Sequence, residues 1–166
     1  MPMLFWDASA LVKRYVEETG SATVHALFDA TNGEDTASTV WGYAETYSIL
    51  LRRRNAGLVR SASFDEAVSA LRRETVLDPR VTLVSLPDAL VFAGIALMQR
   101  HNINTADAVI LAGFLEVARA LMKGGQPCAL IAADKRLVRA AQAEGLTAVN
   151  PELLPVWDVP SSLASL

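Results

Sequence analysis

Short runs of apolar residues alternate with longer stretches of helical periodicity along most of the chain. This alternation predicts an α/β fold with a parallel sheet, because helices commonly connect successive parallel strands. The predicted strands are the segments 3–6, 35–38, 81–85, 128–133 and 146–149. The segments at 35–38 and 146–149 carry the weaker signals, so we expect a central sheet of about four to five strands flanked by helices.

Capping residues and helix-ending residues divide the remaining stretches into seven predicted helices. A first helix begins at Ser9 or Ala10 and ends near Gly20. The others cover 21–30, stopped by Asn32-Gly33; 39–56, with Thr39 as N-cap; 63–78, opened by a Ser63/Glu66 capping box; 87–101, with Pro87 as first residue; 105–121, capped by Thr105; and 134–145, capped by Asp134. No repeat or linker interrupts the pattern. We therefore expect one domain over residues 1–150, with residues 151–166 as a C-terminal tail packed on that domain or extending from it.

Composition restricts the class of protein further. With 166 residues, 52% hydrophobic and 20% charged, the chain can bury a substantial core and is not disordered. No apolar run approaches the roughly 18–20 residues of a membrane span, and the first residues lack the pattern of a signal peptide. The single cysteine, Cys128, excludes an internal disulfide framework, and its apolar surroundings favour a buried side chain over a nucleophile. A cytoplasmic protein is the expectation.

The overall charge does not favour nucleic-acid binding. The net charge is −3 and the pI about 5.4, so a polyanion would have to be bound through a metal ion and a local basic patch. Such a patch is present at Arg52-Arg53-Arg54, with three further arginines nearby in sequence: Arg60, Arg72 and Arg73. For any one of these arginines, a solvated helix face is the simpler interpretation.

Four acidic residues are the main indication of function. Asp7 and Asp134 follow predicted strands, whereas Asp107 lies in the first turn of a predicted helix and Glu45 in the middle of one. Taken singly, the aspartates have structural explanations as helix caps or as charges that suit the helix dipole. Glu45 is harder to explain, because it lies among aromatic and aliphatic neighbours where an unpartnered carboxylate is costly.

Taken together, the four acids predict a metal site. The carboxyl ends of parallel strands are where ligands bind in α/β folds, and converging carboxylates repel one another unless a cation lies between them. Oxygen ligands suit Mg²⁺ or Mn²⁺ rather than zinc, and the two histidines, His25 and His101, have no metal-ligand spacing. Ser9 and Thr105 add hydroxyls that could orient a carboxylate, although as helix caps they need no such role. A divalent cation would lower the pKa of water and neutralise charge developing on a phosphodiester.

With these residues in view, the chain resembles the PIN-domain ribonucleases, specifically the VapC-type toxins of toxin–antitoxin pairs. The resemblance extends over residues 3 to about 150, and its motifs are Asp7-Ala8-Ser9, Ala44-Glu45, Thr105-Ala106-Asp107-Ala108, and Asp134 followed by Leu137 and Ala140-Ala141. It implies a three-layer α/β/α fold, dependence on Mg²⁺ or Mn²⁺ and endonucleolytic cleavage of RNA. It also implies a homodimer inhibited by a small antitoxin protein.

In the roles that this resemblance implies, Asp7, Glu45, Asp107 and Asp134 are both metal ligands and catalytic residues. Ala132, where many relatives have Thr or Ser, and Arg136, where some have a further acid, make Asp134 the least secure of the four. Arg52 lies about 10 Å along the helix from Glu45 and near the same face, so it could hold a neighbouring phosphate of the RNA, as could Arg53.

Other functions remain open at this point. A PIN-like nuclease of RNA processing outside any toxin system would show the same acids, and so would a binding or scaffold module with a weak site. A phosphatase of the haloacid dehalogenase type would need a second aspartate where this chain has Ser9. A response-regulator receiver would need paired acids near its first strand.

Overall fold

The computed structural model describes residues 1–31 and 33–165. Its centre is a parallel sheet of five strands in the order β3-β2-β1-β4-β5. The strands are β1 Met3–Trp6, β2 Thr36–Thr39, β3 Thr82–Val84, β4 Cys128–Ile131 and β5 Ala148–Val149. The sheet predicted from the apolar runs is thus confirmed, including its two weakest strands.

Eight helices surround the sheet within these residues. They are α1 Ala8–Leu11, α2 Ser21–Thr31, α3 Val40–Asn55, α4 Ser61–Leu71, α5 Asp88–His101, α6 Thr105–Lys123, α7 Lys135–Ala143 and α8 Val159–Ser165. Shorter turns of 3₁₀-helix cover Val12–Arg14 and Val156–Asp158, and a π-helical turn, Arg72–Val76, extends α4. In the part of the chain described, no helix is long and apolar enough to cross a membrane.

Alternate strand residues pack into two separate cores, which makes the fold three-layered. Phe5 and Leu130 face α5, α6 and α7, whereas Leu4, Trp6 and Ile131 face α1, α2, α3, α4 and α8. Successive side chains of a strand point to opposite faces, so strands buried on both faces read as continuous apolar runs. The expected α/β/α architecture is confirmed.

The strand register brings the ends of β1, β2 and β4 to one edge. Trp6, the last residue of β1, pairs with Ser38 on one side and with Ile131 on the other. From β1 the chain continues to β2 and β3 on one side of the sheet, and it then crosses to β4 and β5 on the other side. The strand order therefore reverses beside β1. In open α/β sheets this switch point is where ligand sites form.

The C-terminal segment lies against the same layers. Val159 is buried in the core beside α2, and the Thr23 hydroxyl donates a 2.8 Å hydrogen bond to the carbonyl of Leu154. The ammonium group of Lys13, buried in the first 3₁₀ turn, lies 2.8 Å from both Glu18 and Glu152. Residues 151–165 therefore contact the body of the fold by apolar and ionic means.

The first predicted helix is much too long. Helix α1 ends at Leu11 and its 3₁₀ continuation at Arg14, rather than near Gly20. Lys13 turns inward to its two carboxylates, and a helix continuing past it would not bring Glu18 back to the ammonium group. Several strands are also shorter than predicted: β3, β4 and β5 each lose one or two residues at an end.

Four predicted helix starts are wrong in detail. Helix α1 begins at Ala8 with Asp7 as its N-cap, rather than at Ser9 or Ala10. Helix α4 begins at Ser61 after Arg60, so Ser63 lies inside the helix and no capping box forms. This earlier start lets the amide of Phe64 bond to the carbonyl of Arg60 while its ring is buried. Pro87 is the residue before α5 rather than its first residue, and Thr105 begins α6 after a cap by Asn104. Of the pair predicted to stop α2, Asn32 lies outside the described residues, and Gly33 has the positive φ typical of a stop.

Candidate metal centre

Asp7 is the most deeply buried of the four acids. It is the N-cap of α1, immediately after β1, and only 5% of its surface is exposed. Its carboxylate accepts hydrogen bonds from the backbone amide of Ser9, at 2.9 Å, and from the Ser9 hydroxyl. Burial raises the pKa of Asp7, with a smaller contribution from the charge of Asp134, although the hydrogen bonds from Ser9 oppose the rise.

The Ser9 hydroxyl connects two strand ends. While it donates to Asp7, its oxygen accepts hydrogen bonds from the backbone amides of Ala133, at 2.9 Å, and Asp134, at 3.2 Å. These amides belong to the turn between β4 and α7, and the amide of Asp7 itself bonds to the carbonyl of Ile131. One hydroxyl therefore holds the Asp7 carboxylate and the Asp134 backbone in a fixed relation.

Asp134 caps α7. One of its carboxylate oxygens accepts hydrogen bonds from the amides of Arg136, at 2.7 Å, and Leu137, at 3.1 Å. The other oxygen does not cap the helix, so Asp134 could cap α7 with one oxygen and bind a metal ion with the other. The turn before it is held from a third strand, because the Asn150 amide group after β5 donates to the carbonyl of Ala133 at 3.2 Å.

Asp107 is held by Asn104 in the first turn of α6. The Asn104 side chain accepts from the Asp107 amide at 2.9 Å and donates to the Asp107 carboxylate at 2.8 Å. Burial, together with the negative charges of Asp134, Asp7 and Glu45, raises the pKa of Asp107 from 3.8 to about 7, against a smaller opposing effect of Arg136. This is the acid on which the other three act most strongly.

Glu45 on α3 lies near Asp7. Burial raises the pKa of its half-buried carboxyl, as does the charge of Asp7, while Arg52 lowers it. The helix lies close to the sheet because Gly42 has no side chain: a Cβ there would stand 2.8 Å from the Ser38 hydroxyl. Thr39 caps this helix as predicted, accepting from the Gly42 amide at 2.7 Å.

The four carboxylates are neighbours at the carboxyl edge of the sheet, and we call the region between them the acidic cleft. The charge of Asp134 contributes to the raised pKa of Asp7, and the charge of Asp7 to that of Glu45. All three contribute to the raised pKa of Asp107. Within the described residues, no three His, Cys, Asp or Glu side chains already surround a single point. Their like charges repel one another, and this repulsion contributes to the raised pKa of Asp107.

The donor set fits a hard divalent cation. The available ligands are carboxylate oxygens, which Mg²⁺ and Mn²⁺ prefer, and Ser9 and Asn104 fix two of those carboxylates from behind. Burial and mutual repulsion make the metal-free charged state unfavourable, as the raised pKa of Asp107 indicates. A bound cation would offset both the cost of burying the charged carboxylates and their mutual repulsion.

The two arginines predicted to bind RNA have different surroundings. Arg52 is exposed near Glu45, with a 3.1 Å hydrogen bond to the Ser48 hydroxyl. Arg53 instead forms an ion pair with Glu18, the carboxylate that also holds Lys13. Its charge is therefore already compensated within the fold.

The sequence prediction misses Asn104 and Asn150, and it does not show the role of Arg136. Asn104 takes the capping role expected of Thr105, whose exposed side chain has no hydrogen bond to Asp107; the strong preference for Asn at N-caps is the signal that points to it. Asn150 follows a two-residue strand, and nothing in the sequence marks it. In the sequence Arg136 is only an unusual residue for the family, but in the fold its charge reaches Asp107.

Comparison with known proteins agrees with this geometry. A sequence model of the PIN domain family matches residues 4–143. Ribonuclease VapC45 of Mycobacterium tuberculosis is 33% identical over 158 residues, which cover 93% of this chain and all of that protein.

Solved structures share the fold at lower identity. VapC20 of Mycobacterium tuberculosis, described as a sarcin–ricin loop cleaving toxin, aligns with a TM-score of 0.60 and 19% identity, over 89% of this chain and 99% of that one. A toxin–antitoxin complex from Klebsiella pneumoniae contains a chain with a TM-score of 0.51 and 14% identity, over 89% of this chain and 97% of its own. The family match covers the strands and helices that bring all four acids to one edge, and by it the chain belongs to the PIN domain family.

Proposed function

We propose that this protein is a divalent-metal-dependent endoribonuclease and the toxin of a toxin–antitoxin pair. One observation carries the proposal: Asp7, Glu45 and Asp134 lie near enough to Asp107 at the carboxyl edge of the sheet for their charges, together with burial, to raise its pKa to about 7. The relative VapC45, which is named a ribonuclease, supports RNA as the substrate.

In this proposal the four carboxylates hold Mg²⁺ or Mn²⁺. When bound, such a cation lowers the pKa of water and neutralises charge that develops on a phosphodiester. Ser9 and Asn104 are positioning residues, because each fixes the orientation of a carboxylate without reaching the substrate itself. Arg52, exposed beside Glu45, would hold an RNA phosphate next to the one cleaved.

Cleavage of a structured RNA pool by the purified protein tests the proposal. We expect cleavage with Mn²⁺ or Mg²⁺, none with EDTA, and none by Asp7→Asn, which removes charge but little volume. Circular dichroism and thermal unfolding would establish that the variant is folded. Full activity of folded Asp7→Asn would refute the assignment of the site. Cleavage that persists in EDTA would refute its dependence on metal.

A second expectation is that two copies of the chain associate through α5. This helix gives Leu90, Gly94 and Leu97 to the core yet also exposes apolar side chains on its other sides, with Phe92 70% exposed and Ile95 46%. A helix that is apolar all round needs a further partner. Light scattering should give twice the 17.8 kDa chain mass for the wild type and the single mass for Phe92→Glu. Leu58→Glu, at an exposed leucine after α3, should remain dimeric, and dimeric Phe92→Glu would rule out this face.

The toxin assignment rests on a partner that can be sought directly. The fold neighbour from a toxin–antitoxin complex supports a small inhibitory protein as that partner. We expect co-expression of a short reading frame adjacent to the gene to yield a stable complex without ribonuclease activity. An active nuclease with no such neighbouring frame would favour a role in RNA processing instead.

A further inference from the structure

A basic pocket lies beside the acidic cleft, between the end of α5 and the outer face of α7. Its volume is about 610 Å³. The residues that line it are Arg100, His101, Asn102, Arg136, Arg139, Ala140 and Ala143. The two alanines leave room between the arginines, because their side chains end at Cβ.

The pocket carries a net positive charge in a protein whose overall charge is −3. One carboxylate, Glu144, compensates part of it: its Oε1 lies 2.5 Å from Arg100 and 2.6 Å from His101. Neither Arg136 nor Arg139 has a carboxylate within salt-bridge distance in the described part of the chain. Both guanidinium groups therefore border the pocket outside any ion pair, although the Nε of Arg139 donates to the carbonyl of Lys135 at 3.2 Å.

The pocket and the acidic cleft share their boundaries. Arg136 follows Asp134 by two residues in the first turn of α7, and its charge lowers the pKa of Asp107. On the other side, Asn102 begins the short connection to Asn104, which holds Asp107. An anion bound in the pocket would thus lie next to the carboxylates without being their direct ligand.

We propose that this pocket binds a backbone phosphate of the RNA, adjacent to the phosphate that is cleaved. The inference rests on the proposed function and adds Arg136 and Arg139 as substrate-positioning residues. A guanidinium group presents two parallel N–H donors that match phosphate oxygens. The ring of His101 is directed to Glu144, so the lining offers guanidinium groups but no free aromatic ring for a base, which favours recognition of the backbone.

Binding of a short labelled single-stranded RNA in EDTA tests the inference apart from catalysis. The variant is Arg136→Gln/Arg139→Gln. The control, Arg119→Gln/Lys123→Gln, removes the same charge from exposed positions near the end of α6. We expect the pocket variant to bind about tenfold more weakly or worse. The slope of log Kd against log salt should fall by about 0.7 for each lost phosphate contact. The control should keep the wild-type slope.

Equal affinity and slope for the pocket variant and the control would overturn the subsite, whether or not the wild type cleaves RNA. Absence of RNA binding by the wild type would overturn it as well. If polyglutamate competed as well as RNA of equal charge, the pocket would be a docking site for an acidic polypeptide and the inference would be wrong. If the variant lost RNA binding while the wild type failed to cleave with Mn²⁺, the subsite would stand and the nuclease assignment would fail.

Discussion

At the scale of single residues, the centre depends on one hydroxyl with three simultaneous hydrogen-bond partners. Ser9 donates to the Asp7 carboxylate and accepts from the amides of Ala133 and Asp134. Without it, Asp7 would lose a bond that opposes the rise of its pKa, and two amides at the edge of the core would lose their acceptor.

We expect Ser9→Ala to lower both stability and cleavage. The free energy of unfolding should fall by about 1–3 kcal/mol, since buried donors are left unsatisfied, and the affinity for Mn²⁺ should fall because Asp7 is less well fixed. Urea unfolding and metal titration measure the two effects. Ser69→Ala, at an exposed serine in α4, is the control. A variant as stable and as active as this control would show that the bridge contributes nothing.

The pKa of Asp107 predicts how stability depends on pH when metal is absent. Its folded-state pKa of about 7 lies above the ordinary value of 3.8, so the folded protein binds more protons than the unfolded chain between these values. Stability should therefore be highest at low pH in that window and fall as pH rises toward 7. In EDTA, the urea midpoint of Asp107→Asn should decline less over this range than that of the wild type. Parallel declines would mean that Asp107 does not titrate in this way.

At the scale of elements, the start of α7 combines a structural and a chemical role in one carboxylate. Asp134 caps the helix through one oxygen and borders the cleft. Because capping by itself explains an aspartate at this position, only substitutions that separate the two roles can decide between them.

Asp134→Ser and Asp134→Ala make that separation. Serine caps a helix about as well as aspartate, so Asp134→Ser should unfold nearly as the wild type does, whereas Asp134→Ala should lose about 0.5–2 kcal/mol. If the carboxylate serves the metal, both variants should lose cleavage to a similar extent. Wild-type activity in Asp134→Ser would restrict the residue to capping.

At the scale of the whole molecule, one ionic cluster joins segments that are far apart in sequence. Lys13 contacts Glu18 and Glu152, and Glu18 also contacts Arg53 on α3. Although burial by itself would raise the pKa of Glu18, the hydrogen bonds from Lys13 and Arg53 lower it. The cluster ties the first turn, α3 and the C-terminal segment together.

The neighbouring arginines of α3 should therefore behave differently. Arg53→Ala should cost about 1 kcal/mol of stability, as for a partly exposed ion pair, and should change RNA affinity little. Arg52→Ala should leave stability unchanged but weaken RNA binding, with a salt slope shallower by about 0.7. Urea unfolding and RNA titration of both variants check this. If Arg53→Ala weakened RNA binding and Arg52→Ala lowered stability instead, Arg53 would be the residue that contacts RNA and Arg52 the one that stabilises the fold.

The sequence by itself determined the parallel sheet and its flanking helices, and it selected the four acids as the candidate site. Strands buried on both faces leave continuous apolar runs, and the residue that ends such a run lies at the ligand-binding edge. The pattern of apolar and polar positions therefore suffices to select Asp7 and Asp134. Asp107 and Glu45 follow from their positions in helices and from the family resemblance.

Only the tertiary structure decided which side chains support those acids and which arginines have unpaired charges. The two amides that bond to the Ser9 hydroxyl lie 124 and 125 residues away, and Asn150 bonds to the carbonyl of Ala133 across 17 residues. Local patterns carry no information about such contacts, because strand order and helix packing bring them together. The same holds for Arg53, whose charge is compensated by a carboxylate 35 residues away, and for Arg136 and Arg139, which share a pocket with Arg100 only because α5 and α7 meet.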